Sequence, residues 1–380
     1  MRILVSAGEA SGDLYASRIV QILKARHPDA EFFGVAGPRM QAAGVRVIVD
    51  QRQLAVIGLL AVVPHIPRIF GILKKLTHAA EEEKPDLAIL TDSAGFHLRV
   101  AKRLQKLGIP VVQLIAPQAW AWREYRVNTM RRTLRQLLCI LPFEEKFFRN
   151  RGVPTTYIGH PLARLVKSKL TRAELCGKLG IPLESRIVAM LPGSRRGEVS
   201  RHVPLLKDAA QKLGPGVVPV LALPGGFGAK DSNFLEPIRA AGIQVVEGLT
   251  WEVLAHAELA LAASGTVTIE AALLGTPMVT FYRANALDWY LGRWLVKSPF
   301  LSMVNIVAGR KIVAELIQQD CTPEKIAAEG LRLLQDEGAR GEMQTELANI
   351  VAGLRSDRDP METAADAIEK ELAQVLKHVE

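Results

Sequence analysis

The sequence has little of what several common protein classes need. Only three of its 380 residues are cysteines, widely spaced and without a Cys-x-x-Cys pair: Cys139, Cys176 and Cys321. This pattern argues against a disulfide framework or a structural zinc site and favours a reducing compartment. No apolar run reaches the ~18 residues that a membrane-spanning helix needs. The first apolar stretch stops at Glu9, so we expect a buried strand there rather than a signal peptide, and a cytoplasmic protein.

Several ligand-binding signatures are also missing. The first glycine-rich loop, Gly8–Asp13, has neither the G-x-G-x-x-G spacing nor the Walker lysine of a diphosphate-binding loop. No His-rich ligand set stands out, so we expect neither a metal nor a cofactor. Aromatic residues make up 6% of the chain and form no stacking platform, and no nucleic-acid reading module is recognisable. We therefore expect no nucleic-acid partner.

Strand-like and helix-like segments alternate along the chain. Short β-rich runs separated by helical stretches predict parallel sheets covered by helices on both faces. The length of 380 residues predicts two domains. We place them at 1–165 and 166–355, followed by a helix at 356–380 that returns to the first domain or to a partner subunit. From about residue 311 onward the pattern predicts helix alone. The predicted fold class is α/β, with two doubly wound, Rossmann-like domains facing across a cleft.

Positive charge is concentrated in the first half. Residues 1–170 carry 26 Lys and Arg against 13 Asp and Glu, whereas 171–380 carry 22 against 26. An anionic partner is therefore expected for the first half. The same half contains an apolar segment at 54–76, broken by two prolines and flanked by Arg68, Lys74 and Lys75. Such a segment is typical either of a core helix or of a helix at an anionic membrane surface, and both remain open at this point.

The junction Gly8-Glu9-Ala10-Ser11-Gly12-Asp13 follows an apolar strand and runs into a helical pattern. Glycines let the backbone approach a ligand closely, and the amides of a helix start attract negative charge. The two carboxylates, Glu9 and Asp13, would repel a phosphate but suit sugar hydroxyls or proton transfer. The loop therefore fits a hydroxyl-binding site better than a diphosphate cradle. The alternative is an ordinary strand-to-helix turn in which Ser11 or Asp13 caps the helix.

Other polar loops follow predicted strands. Because the carboxyl ends of parallel strands meet at one edge of a sheet, residues in these loops are candidates for ligand contact. They are Asp92-Ser93, Pro117–Arg123, Leu191–Glu198, Ser264–Glu270 and Gly159-His160-Pro161. Each also has a structural alternative: Asp92 as a helix cap, His160 as a hydrogen-bonded hinge, and the Trp120 and Trp122 pair as core packing.

Six strings resemble those of one known family. They are Gly8–Asp13, Gly34–Met40, Trp120-Ala121-Trp122-Arg123, Leu141-Pro142-Phe143-Glu144, Leu191-Pro192-Gly193-Ser194-Arg195 and Ala263-Ser264-Gly265-Thr266. In order and spacing they resemble the lipid-A-disaccharide synthases, from the first strand to about Glu315. The resemblance implies a two-domain glycosyltransferase of the GT-B type. It would join UDP-2,3-diacylglucosamine to 2,3-diacylglucosamine 1-phosphate through a β-1,6 link and release UDP.

The resemblance also implies roles for particular residues. Asp92 matches the family's catalytic aspartate, which would accept the proton of the acceptor 6-hydroxyl. Glu9, Ser11 and Gly12 would line the acceptor side. The UDP side would comprise Gly193, Ser194, Arg195, Ser264, Gly265, Thr266 and Glu270, with Arg195 facing the diphosphate and Glu270 accepting hydrogen bonds from ribose hydroxyls. Asn305 matches an active-site asparagine whose contact is not assigned.

The two acylated substrates that the resemblance implies also bear on partners and location. Both the basic first half and the apolar 54–76 segment would then serve to bind these substrates at a membrane. We therefore expect peripheral contact with the anionic inner face of the cytoplasmic membrane. The family further suggests a homodimer through the carboxyl-terminal helices.

The chain departs from the family pattern at one motif. Where the family reads Asp, Ala or Ser, Pro, Asp, Phe, Asn, this chain reads Asp92-Ser93-Ala94-Gly95-Phe96-His97. The second carboxylate is absent, so the chain lacks that residue's contribution to acceptor binding or to the tuning of Asp92, and His97 is a candidate to replace it in part. Two other functions remain alternatives: another sugar-nucleotide enzyme, such as a muramyl-type transferase or a UDP-sugar 2-epimerase, and a non-catalytic lipid-binding protein.

Overall fold

The computed structural model describes residues 1–54, 65–227, 232–285, 289–290 and 298–376. These residues fall into two compact units. The first unit consists of the described parts of Met1–Pro161, Tyr290–Lys297 and Leu354–Glu380, and the second of those of Leu162–Trp289 and Ser298–Gly353. This division into compact units does not test where independently folding domains end, so the boundaries at residues 165 and 355 stay predictions.

The first unit is built on a parallel seven-stranded sheet. Its strands are β1 (Arg2–Ser6), β2 (Glu31–Ala36), β3 (Arg46–Asp50), β4 (Leu87–Leu90), β5 (Val111–Leu114), β6 (Gln136–Cys139) and β7 (Thr155–Tyr157). They lie in the order β3-β2-β1-β4-β5-β6-β7, and each neighbouring pair is parallel. The central strands are buried on both faces, which explains their continuous apolar sequences.

Helices connect these strands. They are α1 (Ala10–Arg26), α2 (Pro38–Ala42), α3 (Ile66–Glu83), α4 (Ala94–Lys106), α5 (Arg126–Thr133) and α6 (Pro142–Arg149), with a short 3₁₀ turn at Gln51–Gln53. The last described helix of the chain, α16 (Pro360–Leu376), also belongs to this unit. Arg26 of α1 pairs with Asp366 at 2.9 Å and with Glu362 on α16. Arg135 pairs with Glu371 at 2.9 Å, so charged contacts dock α16 on the basic half of the chain.

The second unit repeats this architecture with six parallel strands. They are β8 (Arg186–Leu191), β9 (Val217–Leu223), β10 (Gln244–Glu247), β11 (Leu259–Ala263), β12 (Met278–Tyr282) and β13 (Glu315–Ile317), in the order β10-β9-β8-β11-β12-β13. The described helices are α7 (Leu162–Leu165), α8 (Arg172–Leu179), α9 (Arg196–Lys212), α10 (Ser232–Ala240), α11 (Thr250–His256), α12 (Val267–Leu273), α13 (Met303–Ala308), α14 (Pro323–Gln335) and α15 (Glu337–Leu354).

The prediction of two doubly wound α/β sheets is confirmed. In each sheet the strand order reverses beside the first strand, so a topological switch point lies between β1 and β4 and another between β8 and β11. Ligands of such sheets bind beyond the carboxyl ends of the strands at the switch point. The expectation of helix alone after residue 311 was wrong, because β13 pairs with β12 there. Three residues are too few to show a strand period in the sequence.

The apolar segment at 54–76 is described in part. Residues 55–64 lie outside the described residues. Within α3, Ile72, Leu73 and Leu76 are buried in the core, whereas Ile66 and Phe70 are 41% and 53% exposed. The described part of this segment therefore packs against the sheet on one side and presents apolar side chains on the other. Among the described residues, no helix combines the length and hydropathy needed to cross a bilayer.

Candidate functional site

The switch point of the first unit brings together two of the predicted site loops. Asp92 follows β4, and its carboxylate reaches the loop between β1 and α1. Oδ1 accepts a hydrogen bond from the Gly8 amide at 2.8 Å, and Oδ2 accepts one from the Glu9 amide at 3.0 Å. The sequence favoured sugar hydroxyls over a diphosphate as the ligand of this loop, although helix-start amides attract negative charge. In the structure they hold the carboxylate of Asp92.

The glycines of this loop are required by the close approach of Asp92. A Cβ at Gly12 would stand 1.8 Å from Asp92 Oδ2, and a Cβ at Gly8 would stand 2.0 Å from Ser93 Oγ and 2.8 Å from Asp92 Oδ1. Any larger residue at either position would displace the carboxylate. The role of Gly12 in this structure is therefore to let Asp92 pack against it. Because the carboxylate accepts two amide hydrogen bonds, two of its four lone-pair positions remain for another donor.

Glu9 and Ser11 stand at the start of α1. Glu9 is the N-cap residue and is partly buried, and Ser11 is exposed. Neither Ser11 nor Asp13 caps α1, which was the structural alternative for this loop. The buried carboxylate of Asp13 instead accepts hydrogen bonds from the amides of Gly37, Arg39 and Met40 at 3.0 to 3.1 Å. It therefore caps α2 and joins two of the strings that carry the family resemblance.

His97 supports the turn that carries Asp92. The ring is fully buried; Nδ1 lies 2.9 Å from the Asp92 carbonyl oxygen and Nε2 lies 2.7 Å from Ser6 Oγ. Because a carbonyl only accepts, Nδ1 carries the proton and Nε2 accepts from Ser6. Burial lowers the pKa of His97, which keeps the ring neutral. The turn is strained, since Ser93 has a φ of 36°. Both ring nitrogens are thus engaged within the chain.

Two further strings of the resemblance meet in the same unit. Trp120 Nε1 donates to Glu144 Oε1 at 2.9 Å, and the Leu141 amide donates to Glu144 Oε2 at 3.1 Å. The Glu144 side chain is 1% exposed, and its burial raises the pKa to about 7. The hydrogen bond between Trp120 and Glu144 fixes the loop that follows β5. The next aromatic residue of that loop, Trp122, lies under the guanidinium groups of Arg123 and Arg126.

At the second switch point, the loop after β8 carries the predicted donor-side arginine. Gly193 has a φ of 112°, which favours glycine, and the loop ends at Arg195, the N-cap residue of α9. The Arg195 Nη1 atom lies 3.0 Å from Glu198 Oε1, and that oxygen also accepts from the Tyr282 hydroxyl at 3.2 Å. Arg195 remains 46% exposed at its side chain. The sequence placed Glu198 in this loop but not as the partner of Arg195, although the i+3 spacing could have revealed the pair.

The loop after β11 contains an unsatisfied polar atom. Ser264 Oγ is buried and has no hydrogen-bond partner among the described residues. Gly265 and Thr266 follow it, and α12 begins at Val267. On α12, Glu270 Oε2 accepts from Trp251 Nε1 at 3.0 Å, and burial raises the pKa of Glu270. Trp251 was also missed, since no sequence signal linked it to this loop.

Asn305 is buried at the start of the segment that leads to β13. Its Oδ1 accepts from the amides of Ile312 and Val313 at 2.7 and 3.0 Å. Its Nδ2 donates to the Val313 carbonyl at 3.0 Å and to Glu315 Oε1 at 2.8 Å. These contacts tie α13 to the chain before β13. Glu315, the partner that the sequence did not indicate, accepts two backbone amides as well.

Other features of the described residues do not coincide with these loops. A cavity of about 720 Å³ in the second unit is lined by the segment that leads into β13, such as Lys311, and by residues of α14, such as Lys325 and Arg332. None of the predicted site residues lines it. No group of three or more His, Cys, Asp or Glu is placed to hold a metal in the described part of the chain.

Comparison with protein families gives one match that spans nearly the whole chain. A family model described as lipid-A-disaccharide synthetase matches residues 3–368. A relative from Solibacter usitatus, named lipid-A-disaccharide synthase, is 54% identical over 378 residues, covering 100% of this chain and 99% of the relative. A relative of the same name from Myxococcus xanthus is 42% identical and covers 92% of each chain.

Solved structures with similar folds are far more distant in sequence. An Anabaena protein crystallised with UDP and glucose has a TM-score of 0.59 at 17% identity, covering 98% of this chain and 100% of that one. A UDP-GlcNAc 2-epimerase from Neisseria meningitidis, bound to UDP-GlcNAc, has a TM-score of 0.65 at 12% identity, with the same coverage. The calicheamicin glycosyltransferase CalG4 has a TM-score of 0.61 at 16% identity, covering 98% of this chain and 98% of that one. At these identities the likeness supports the fold alone.

Proposed function

We propose substrates and residue roles for this chain from one premise: it belongs to the lipid-A-disaccharide synthase family. The chain is a glycosyltransferase that forms the disaccharide of lipid A. The donor is a UDP-sugar, UDP-2,3-diacylglucosamine, and the acceptor is 2,3-diacylglucosamine 1-phosphate. The acceptor 6-oxygen attacks the anomeric carbon, the bond from that carbon to UDP breaks, and the configuration inverts.

Asp92 is the general base of this reaction. Its carboxylate takes the proton of the acceptor 6-hydroxyl as the new C–O bond forms. The observation that carries this assignment is the pair of hydrogen bonds from the Gly8 and Glu9 amides, which fix both carboxylate oxygens at the switch point of the first sheet. A base held in this way needs little reorganisation during the reaction. Glu9, Ser11 and Gly12 form the acceptor side of the same loop.

The second unit binds UDP through the loops after β8 and β11. Arg195, with Gly193 and Ser194, neutralises the charge that grows on the leaving diphosphate. Ser264 and its neighbours Gly265 and Thr266 contact the nucleotide, and the unpartnered Ser264 hydroxyl supports this role. Glu270 has one carboxylate oxygen bound to Trp251 and offers the other to ribose hydroxyls. Asn305 positions the chain before β13 rather than touching the substrate.

The function is tested by incubating the purified full chain with both acylated substrates. The expected products are the β-1,6-linked disaccharide 1-phosphate and UDP in equal amounts. The donor alone serves as the control: a UDP-sugar 2-epimerase would change the donor sugar without an acceptor. Absence of disaccharide under conditions in which UDP binds would contradict the proposed function.

The acylated substrates place the enzyme at a membrane surface. The exposed Ile66 and Phe70 of α3 lie beside exposed Arg68, Lys74 and Lys75, which suits peripheral contact with anionic lipid at the inner face of the cytoplasmic membrane. Sedimentation with anionic vesicles should therefore be lost as salt is raised. Equal recovery with anionic and neutral vesicles would contradict this contact. A homodimer through the carboxyl-terminal helix stays a prediction.

A further inference from the structure

Three arginines of the first unit converge beside the start of α4. Arg99 Nη1 donates to the Gly95 carbonyl at 2.6 Å, and a Cβ at Gly95 would lie 3.7 Å from Arg126 Nη2. Arg123 and Arg126 both lie over the Trp122 ring, with guanidinium carbons 4.4 and 5.3 Å from the ring centroid. Cation–π contacts of this kind hold guanidinium groups in a fixed orientation.

This cluster, Arg99, Arg123 and Arg126, carries charge that the protein does not neutralise. None of the three forms an ion pair with a carboxylate among the described residues. The adjacent Glu124 is paired with Arg151 at 2.9 Å. Burial and the neighbouring Arg123 and Arg99 cations lower the pKa of Arg126. The cluster is therefore repulsive until an anion binds.

The backbone around the cluster is arranged for an anion as well. Arg123 has a φ of 58°, a conformation that costs a non-glycine residue energy and is found most often at functional sites. The side chain of the N-cap residue Ser93 does not cap α4. The amides of Phe96 and His97 donate to the Ser93 carbonyl. Gly95, in the first turn of this 13-residue helix, is exposed and has no side chain to fill the space beside the helix start.

We propose that the arginine cluster is the binding site for a phosphomonoester, namely the 1-phosphate of the acceptor sugar. This inference rests on the proposed function, which supplies an acceptor with that group. Three guanidinium groups and a helix start match a dianionic phosphate, and guanidinium binds phosphate oxygens in pairs. Asp92 lies two residues before α4, so a phosphate bound there would hold the acceptor sugar, with its 6-hydroxyl, near the base.

The test compares the acceptor with and without its 1-phosphate. Full-length wild type, Arg126→Gln and Arg126→Lys are assayed at saturating donor, with Arg103→Gln as the matched control. Arg103 lies on the same helix, α4, and is exposed. A charged hydrogen bond to phosphate predicts that Arg126→Gln raises the KM for the phosphorylated acceptor about 10- to 100-fold. The donor KM and the KM for the dephosphorylated acceptor should stay unchanged, and Arg126→Lys should recover part of the loss.

Three kinetic results would overturn the proposal. One is an equal loss on both acceptors, a second is the same loss in Arg103→Gln, and a third is a raised donor KM, which would assign the cluster to the diphosphate of UDP. A vesicle-binding result would overturn it as well. If Arg126→Gln binds anionic vesicles less well than wild type but keeps the same preference for the phosphorylated acceptor, the cluster binds the headgroups of bulk phospholipid instead.

Equilibrium binding of the phosphorylated acceptor without donor separates this site from the reaction. If wild type binds that acceptor through Arg126 but forms no disaccharide, the proposed function fails while the phosphate site stands. If disaccharide forms and both acceptors bind alike, the site fails while the function stands.

Discussion

The two switch points of this chain differ in how completely their polar atoms are satisfied. At the first, both carboxylate oxygens of Asp92 are held by backbone amides at 2.8 and 3.0 Å. At the second, the Ser264 hydroxyl is buried without a partner among the described residues. The first loop orients its carboxylate without a ligand, whereas the second leaves a hydroxyl that no described residue pairs.

This difference matches the two tasks of a glycosyl transfer. A base acts best when its orientation is set before the substrate arrives, since no reorganisation is then needed in the transition state. A nucleotide must be bound and released in each cycle. An unpaired buried donor lowers the stability of the protein without nucleotide, and it forms an additional hydrogen bond when the nucleotide binds.

The largest effect is expected on kcat, from a substitution of Asp92 at the first switch point. Asp92→Asn keeps the shape of the side chain but removes the proton acceptor, and it sets an amide group against the Gly8 and Glu9 amides. Loss of a general base lowers kcat by about 10²- to 10⁴-fold. UDP affinity should change less than twofold, because UDP is assigned to the other unit. Steady-state kinetics and UDP titration measure both quantities.

Asp86→Asn is the matched control for this substitution. Asp86 precedes the opposite end of β4, and its Oδ2 accepts a backbone hydrogen bond from Arg2 at 2.8 Å. Removing its charge disturbs the same kind of contact far from the switch point, so kcat should be unchanged. If Asp92→Asn and Asp86→Asn lost the same stability and both kept full activity, Asp92 would be a cap and not a base.

A second buried carboxylate of the first unit predicts the next largest effect, on stability. Burial raises the pKa of Glu144 from its ordinary value of 4.5 to about 7 in the folded chain. The folded state therefore binds this proton more tightly than the unfolded state. The resulting stability is fully present below about pH 4.5 and is lost as the pH rises through 7.

Glu144→Gln removes this titration. At about 1.4 kcal/mol per pKa unit, wild type should lose about 3 kcal/mol relative to the variant as the pH rises from 4.5 to above 7. Urea unfolding of both proteins at pH 5 and pH 8 measures most of this difference. Parallel loss of stability in the two proteins would show that Glu144 ionises normally and that its contact with Trp120 is of minor importance.

The sequence predicted the elements and loops better than the contacts. Apolar runs gave the strands of both sheets because their central strands are buried on both faces. The predicted site loops do follow the carboxyl ends of those strands, where parallel topology brings loops together. Their roles in binding and catalysis stay predictions. The exception, β13, has three residues and depends on pairing with β12 rather than on its own pattern.

The contacts could not be predicted because they join distant residues. Asp92 meets the Gly8 amide across 84 positions, and Asp13 caps α2 rather than its own helix. Nothing in either local sequence specifies such a partner. By contrast, the Arg195 and Glu198 pair lies within one helical turn and could have been recognised from spacing alone.

The smallest effect is expected at the open loop, where two serines can be compared. Ser264 and Ser302 both have a buried hydroxyl without a partner among the described residues. Replacing either by alanine removes an unsatisfied group and should stabilise the empty protein by about 1 kcal/mol. Only Ser264→Ala should also weaken UDP binding, by about 2- to 10-fold, the value of one hydrogen bond. Thermal unfolding and UDP titration of both variants measure this. Unchanged UDP affinity in Ser264→Ala, or equal weakening in Ser302→Ala, would mean that the unpaired hydroxyl after β11 marks a packing defect and not the nucleotide site.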